Sequence, residues 1–119
     1  MQYMIMAIET PEAFADRDDA ERGDAYWGAW TGYLAELSAN GVLTEAAGLQ
    51  PPSAATTLRM REGRRLLQDG PFADTQEQLG GYFVIDVADL DSALDWAERC
   101  PSARDGSVEV RPLLRLLDR

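Results

Sequence analysis

The chain has 119 residues, 45% hydrophobic and 27% charged, a composition typical of one globular domain. Its formal charge of −10 argues against nucleic acid and anionic membranes as partners, because both need a basic face. The lack of histidine excludes Ser-His and Cys-His nucleophile pairs and histidine metal sites. The single cysteine, Cys100, excludes an internal disulfide and fits a reducing cytoplasm. No apolar run reaches the roughly 18 residues that span a bilayer, and we expect no signal peptide.

The first half of the chain predicts a strand and a long helix. Residues 3–8 are uninterruptedly apolar, which indicates a buried strand, whereas residues 11–22 predict a solvated loop with at most a helical turn. A helix is predicted over residues 24–40, capped by Asp24 and ended by Asn40-Gly41. Its apolar stripe consists of Tyr26, Trp27, Trp30, Tyr33, Leu34 and Leu37. Such a stripe most often packs in a core; the alternative is that members such as Trp27 and Tyr33 line a ligand cavity.

The second half predicts a hairpin, two strands and a helix. Residues 56–61 alternate strictly, so Leu58 and Met60 point one way while Arg59 and Arg61 point the other. Gly80-Gly81 predicts a bulge or a close backbone approach where a strand begins. The predicted elements are a strand over 42–50, a hairpin over 56–61 and 64–68, a buried strand over 81–87, a helix over 90–100 capped by Asp89, a strand over 108–111, and an apolar tail over 113–119 that packs on another surface.

This order of elements predicts an α+β fold, a two-layer sandwich of ferredoxin-like type. Two helices cover only one face of such a sheet, whereas the runs 3–8 and 82–85 are apolar on both faces. A second copy of the chain is the simplest cover for the other face. We therefore predict a homodimer in which the two sheets pack face to face.

One stretch of the sequence carries a family resemblance. Residues 69–77 read Asp-Gly-Pro-Phe-Ala-Asp-Thr-Gln-Glu, followed by Leu79-Gly80-Gly81-Tyr82. This stretch resembles the DGPF motif of the YCII-related (YciI-like) domain family, and the resemblance extends over nearly the whole chain. It implies a dimeric α+β barrel of ferredoxin-like type. Some relatives in the wider superfamily act on small cyclic or aromatic compounds, as isomerases or dehydrochlorinases. The DGPF branch accompanies extracytoplasmic-function sigma factors, which implies a regulatory or accessory role.

Two positions depart from the family pattern. Gln76 stands where the family motif usually has lysine, so a cationic role there does not transfer. Ala46-Ala47 stands where Gly-Glu is common, so an acid is missing. Since histidine is absent, the His and Asp pair suggested for YciI-like enzymes cannot operate in this chain.

The motif loop is the predicted rim of a site. Asp69-Gly70-Pro71 has a structural explanation, as a turn that lets Phe72 pack into the core. The alternative is that the turn holds the Asp69 carboxylate towards a cavity, where a carboxylate buried beside Phe72 could act as an acid or base near neutral pH. Tyr82 and Tyr33 are the predicted assisting groups.

Further charged residues surround the motif. Asp74 and Glu77 could bind a divalent cation together, but we expect them to be solvated, to cap a turn or to pair with arginine, and we assign no metal. Arg59, Arg61 and Arg111 could converge into a pocket for a small acidic ligand. We favour the alternative, in which these arginines form internal salt bridges with the motif acids.

Two functions remain open. The favoured one is a non-catalytic dimeric module that binds a small ligand or a protein regulator, because no complete catalytic constellation can be assembled. The alternative is an enzyme that needs no cofactor and carries out an isomerase- or lyase-type proton transfer on a small cyclic acid, with Asp69 as the proton shuttle.

Overall fold

The computed structural model describes residues 1–114, so residues 115–119 of the predicted apolar tail lie outside the described residues. Two short 3₁₀ turns, Pro52–Ala54 and Pro101–Ala103, connect regular elements. Those elements are β1 Gln2–Glu9, α1 Pro11–Asp16, α2 Gly23–Ala39, β2 Leu43–Gly48, β3 Thr56–Arg61, β4 Arg64–Asp69, β5 Gln78–Asp86, α3 Leu90–Ala97 and β6 Ser107–Pro112. Within residues 1–114, no helix is long and apolar enough to cross a membrane.

The main sheet is antiparallel, with the strand order β2-β5-β1-β6. This is the order of a ferredoxin-like β-α-β-β-α-β fold, with the β3–β4 hairpin inserted between its second and third strands. Helices α2 and α3 pack on one face of the sheet through a shared core. The predicted α+β two-layer sandwich is therefore confirmed.

The core forms because alternate residues of the central strands turn towards the helices. Ile5 of β1 and Phe83 and Ile85 of β5 are at most 1% exposed, and Leu37 of α2 packs against them. Full burial of one such side chain stabilises the fold by about 1.5–3 kcal/mol. The apolar stripe of α2 thus serves mainly as the core packing that its spacing predicts.

The opposite face of the sheet is also apolar, as predicted. Met4, Met6 and Ile8 alternate with the core residues of β1 and are half-buried, while both helices lie on the other side. Val84, which is 1% exposed, pairs with Met4, and half-buried Tyr82 pairs with Met6. We call these five residues the open sheet face.

Most of the predicted boundaries hold, with two corrections. Residues 11–22 are more helical than predicted, because α1 begins at Pro11 with Thr10 as its N-cap, whereas residues 17–22 form the turns of the predicted loop. The N-cap of α2 is Arg22 and not Asp24, which lies in the first turn. Asp89 caps α3 as predicted, since its carboxylate accepts a hydrogen bond from the Ser92 amide at 2.9 Å.

The predicted bulge is also confirmed, although β5 begins three residues before the predicted strand. The register of β5 shifts opposite Ala7 and Ile8 of β1, which places the irregularity at the glycine pair Gly80-Gly81.

Strands β3 and β4 form a separate two-stranded sheet. Their six residue pairs run from Thr56–Asp69 to Arg61–Arg64, so the predicted hairpin is confirmed. The turn residues Glu62 and Gly63 have φ values of +50° and +76°. Two consecutive residues with positive φ match the twist of a tight hairpin, which explains the glycine.

Candidate functional site

A buried ionic cluster lies where β1 ends. Glu9 continues the helix-facing side of β1 and is only 3% exposed. One carboxylate oxygen accepts a hydrogen bond from Arg17 Nη2 at 2.9 Å, and the other accepts one from the Tyr26 hydroxyl. Arg17 Nε in turn donates to the Tyr26 oxygen at 3.1 Å. We call these three residues the Glu9 corner.

The local sequence folds the chain back to bring Arg17 to Glu9. The Thr10 hydroxyl accepts a hydrogen bond from the Ala13 amide at 3.1 Å and so starts α1 directly after β1. The Asp19 carboxylate then accepts bonds from two backbone amides, which tightens the turn into α2 and lowers the pKa of Asp19. The Trp27 indole donates to the Arg17 carbonyl at 3.1 Å. Arg17 is thereby fixed between the two helices.

Gly80 makes room for the Glu9 carboxylate. A Cβ atom added at Gly80 would lie 1.7 Å from Glu9 Oε2, closer than any real contact. Arg17 Nη2 also donates to the Gly80 carbonyl at 3.0 Å, so the guanidinium joins β1 to β5. The glycine that sequence analysis assigned to a close backbone approach is required by this buried ion pair.

Burial sets the ionisation of the Glu9 corner. Burial and the hydrogen bond to the Glu9 carboxylate raise the pKa of Tyr26 to about 12, so its hydroxyl stays protonated near neutral pH. Burial alone would lower the pKa of Arg17, but its bonds to Tyr26 and Glu9 outweigh that effect and raise it. Within the cluster, Arg17 and Glu9 form a salt bridge, so the formal charges of the pair cancel.

Aromatic rings enclose the Arg17 guanidinium. Its central carbon lies 4.8 Å from the ring centre of Phe14, 5.6 Å from that of Tyr26 and 5.5 Å from that of Trp27. Each cation–π contact of this kind contributes about 0.5–2 kcal/mol, depending on how well water is excluded. The Arg17 side chain is only 9% exposed, so these contacts lie towards the stronger end of that range.

A cavity of about 270 Å³ opens beside the Glu9 corner, between α2 and strands β2 and β5. Glu9, Arg17 and Tyr26 form its polar end, and the remainder is mainly apolar. The other lining residues are Trp27, Trp30, Thr31, Leu34, Ala46, Ala47, Gly48, Gly80, Gly81, Tyr82 and Phe83. An apolar cavity with a few convergent polar groups is the usual form of a small-molecule site.

A wider groove lies on the other side of the Glu9 corner. Its volume is about 990 Å³, and α1, α2 and the segment 98–106 line it. Glu9, Tyr26 and Trp30 line both spaces. These three side chains therefore form the wall between the apolar cavity and the groove.

The aromatic residues predicted from the sequence divide between cavity and core. Trp27 and Trp30 line the apolar cavity. Tyr82 contributes to its wall, but its pairing with Met6 places its side chain on the open sheet face. Tyr33 does not line this cavity; it is 6% exposed and donates to the Trp96 carbonyl at 2.6 Å.

The motif loop lies outside the cavity. Asp69 ends β4 and is exposed. Gly70 has a φ of +100° and forms a bend before Pro71, which agrees with the positive φ predicted for this glycine. Phe72 is 74% exposed, so the prediction that it packs into the core is wrong. Its contact is with Arg59, whose guanidinium carbon lies 5.1 Å from the centre of the ring.

The other predicted charged residues do not converge. Arg61 is exposed on the hairpin, whereas Arg111 pairs with Glu109 on β6. Asp74 and Glu77 are exposed, and Glu77 accepts a hydrogen bond from the Ser107 hydroxyl at 3.2 Å. The salt bridges predicted between the motif acids and these arginines do not form within residues 1–114.

Glu9, Arg17 and Tyr26 were not predicted as a cluster from the sequence. Glu9 is in phase with Tyr3, Ile5 and Ala7, so period-two alternation placed an acid on the buried face of β1. That signal was available, because a buried acid needs a cation or a hydrogen-bond donor. Arg17 gave no such signal, since it stands among aspartates in a segment with no apolar period.

Three comparisons with known proteins bear on the chain. The family model described as "YCII-related domain" matches residues 1–117. An uncharacterised protein of Rhizobium meliloti (strain 1021) is 51% identical over 75 residues, which are 61% of this chain and 60% of that protein's length. The 5-chloro-2-hydroxyhydroquinone dehydrochlorinase of Burkholderia phenoliruptrix AC1100, solved with 2,5-dihydroxybenzoquinone, has a TM-score of 0.56 at 15% identity, over 100% of this chain and 99% of that one. The last likeness shows the fold alone.

Proposed function

Because the chain belongs to the YCII-related domain family, we propose that it is a dimeric module that binds a small, flat organic molecule in the apolar cavity. The observation that carries this proposal is the cavity itself, with aromatic side chains along its wall and the Glu9 corner at one end. Its volume of about 270 Å³ lies near the lower limit of ligand pockets, roughly 300 Å³, and so suits a compound with one ring.

The charges of the cavity favour a neutral ligand with hydrogen-bonding groups at one edge. Arg17 is already neutralised by Glu9, and leaving either charge unpaired in an apolar site would be costly. The acidic ligand predicted from Arg59, Arg61 and Arg111 has no support here, because none of them lines the cavity. The dehydrochlorinase of the same fold was solved with a single-ring quinone, which supports the size and flatness of the proposed ligand but not its neutral charge, because the two hydroxyl groups of that quinone are acidic.

The proposal includes a homodimer in which the open sheet faces of two chains pack together. Half-buried Met4, Met6 and Ile8 support it, because a sheet face with such side chains is normally covered. The predicted link to extracytoplasmic-function sigma factors, the protein regulator and the reducing cytoplasm stay predictions.

Calorimetric titration with 2,5-dihydroxybenzoquinone, hydroquinone, catechol and benzoate tests the site. We expect at least one neutral ring compound to bind more tightly than benzoate. Gly48→Leu should weaken that binding by about tenfold or more, because a Cβ at Gly48 meets no atom within 4 Å and the side chain would enter the cavity. Gly28→Leu is the matched control, as its Cβ is equally unobstructed and Gly28 does not line the cavity. Binding that Gly48→Leu leaves unchanged would contradict the assigned site.

A proton-transfer enzyme is the second candidate, and one observation favours it: the Tyr26 hydroxyl and the Glu9 carboxylate share a hydrogen bond at the cavity wall. Asp69, the predicted acid or base, is exposed and does not line the cavity, so its role stays a prediction. If a bound compound is turned over, Tyr26→Phe should lower kcat by about 100-fold with little change in binding, whereas Asp69→Asn should leave kcat unchanged. The reverse result would restore Asp69.

A further inference from the structure

The β3–β4 hairpin, residues 56–69, is an arm with few packing partners among residues 1–114. Within residues 1–114, each of its strands packs substantially only against the other. Its large apolar side chains are unusually exposed: Leu58 48%, Met60 51%, Leu66 50% and Leu67 62%. Isolated two-stranded hairpins are marginally stable in water, so packing on a further surface would stabilise this arm.

The register separates the arm into two faces. Leu58 pairs with Leu67, and Met60 follows two residues later on the same side, which gives an apolar face. Arg59 and Arg61 point the other way, where Arg64 pairs with Arg61, which gives a mainly basic face. Each face has one exception, because Leu66 pairs with Arg59 and Arg65 pairs with Met60. The arm therefore presents mainly apolar contact area on one side and mainly positive charge on the other.

The charge of the arm is opposite to that of the remainder of the chain. Residues 56–69 contain four arginines and two acids, a formal charge of +2. The other residues contain seven arginines and nineteen acids, a formal charge of −12. Arms and bodies of two copies therefore attract, and complementary charges of this kind direct and orient association.

We propose that the arm of each chain docks on the body of a second copy, in addition to the contact between open sheet faces. The inference rests on the proposed homodimer. Among residues 1–114, the large apolar side chains of the arm are exposed, and Met4, Met6 and Ile8 of the open sheet face are only half-buried. A two-fold dimer would bury both surfaces of each chain in one interface. The turn with positive φ at Glu62 and Gly63 favours the hairpin geometry within each chain, which reduces the backbone freedom that docking must remove.

Hydrogen exchange of the wild-type chain tests the inference directly. We expect the amides of residues 56–69 to exchange slowly at a micromolar concentration at which the chain is dimeric, and about 100-fold faster after dilution to monomer. Equal exchange at both concentrations, with a dimer shown by sedimentation, would overturn the arm while leaving the sheet-face dimer intact. A chain that is monomeric throughout would overturn both. Slow exchange in the monomer would show that the arm docks on its own chain.

A pair of matched variants gives the second test. Leu58→Ser with Leu67→Ser should weaken dimerisation by about 100-fold, because each change is felt twice in a symmetric dimer. Leu90→Ser with Leu94→Ser on α3 removes side chains of similar exposure, 48% and 45%, and should change dimerisation by less than about threefold. Equal effects of the two double variants would overturn the arm.

Discussion

The Glu9 corner and the motif loop, residues 69–77, use similar kinds of side chain, but the corner is buried and the loop is exposed to water. Each places an arginine over an aromatic ring, Arg17 over Tyr26 at 5.6 Å and Arg59 over Phe72 at 5.1 Å. In the corner the carboxylate is 3% exposed and both of its oxygens accept hydrogen bonds, whereas Phe72 is 74% exposed. Charges at equal distance interact several times more strongly where water is excluded. The motif therefore identifies the family of the chain. Burial, by contrast, identifies the side chains whose charge and hydrogen bonding are set by the fold.

The largest expected difference between the two regions is the cost of removing an acid. Glu9→Gln leaves the buried Arg17 cation without a counter-charge and should lower the free energy of unfolding by about 3 kcal/mol. Asp69→Asn should change it by less than about 0.5 kcal/mol, because Asp69 is exposed. Urea denaturation of both variants measures the contrast.

A double variant tests whether the loss of stability comes from leaving one charge unpaired or from the change in packing. Glu9→Gln with Arg17→Met removes both partners, and the combined loss should be smaller than the sum of the two single losses, because neither charge is left unpaired. An additive result would show that Glu9 and Arg17 do not stabilise each other.

The next contrast concerns two glycines on neighbouring strands. Gly80→Ala should lower the free energy of unfolding by about 2 kcal/mol, because the new Cβ displaces the Glu9 carboxylate from Arg17 and Tyr26. Gly48→Ala should have almost no effect, since its Cβ meets nothing within 4 Å. Thermal unfolding of the two variants is a sufficient measurement. Equal losses of stability in the two variants would mean that the cost comes from replacing any strand glycine and not from a clash with the Glu9 corner.

The fold was predictable because its signals are local and repeated. Period-two and helical spacings placed β1, α2 and the hairpin correctly, and the order of elements restricted the topology to the ferredoxin-like sandwich. The site was less predictable because Glu9 and Arg17 belong to different elements and meet only after α1 folds back. The prediction that Phe72 packs in the core was wrong for a related reason. Phe72 follows a fixed turn, but the neighbouring residues in the sequence do not show that it faces solvent.

The third contrast is in the alkaline range and concerns the buried phenol. The pKa of Tyr26 is raised from 10.0 to about 12 by burial and by its bond to Glu9, so the folded state holds its proton more tightly than the unfolded state. The stability from Tyr26 is therefore complete below pH 10 and is lost as the pH rises towards 12. Tyr26→Phe should make the free energy of unfolding depend less steeply on pH in this window. Asp69→Asn, the control from the motif side, should leave the slope unchanged.

The smallest effect is expected at Phe72. Phe72→Ala removes one exposed cation–π contact with Arg59 and should lower the free energy of unfolding by about 0.5 kcal/mol. Phe14→Ala removes the matching contact with Arg17, 4.8 Å away in the corner, and should cost clearly more, because Phe14 is half-buried and its contact is shielded from water. Urea denaturation at a concentration that keeps the chain monomeric compares the two. If Phe72→Ala lowered the free energy of unfolding as much as Phe14→Ala, Phe72 would have to pack in the core. The motif loop would then be buried and not exposed.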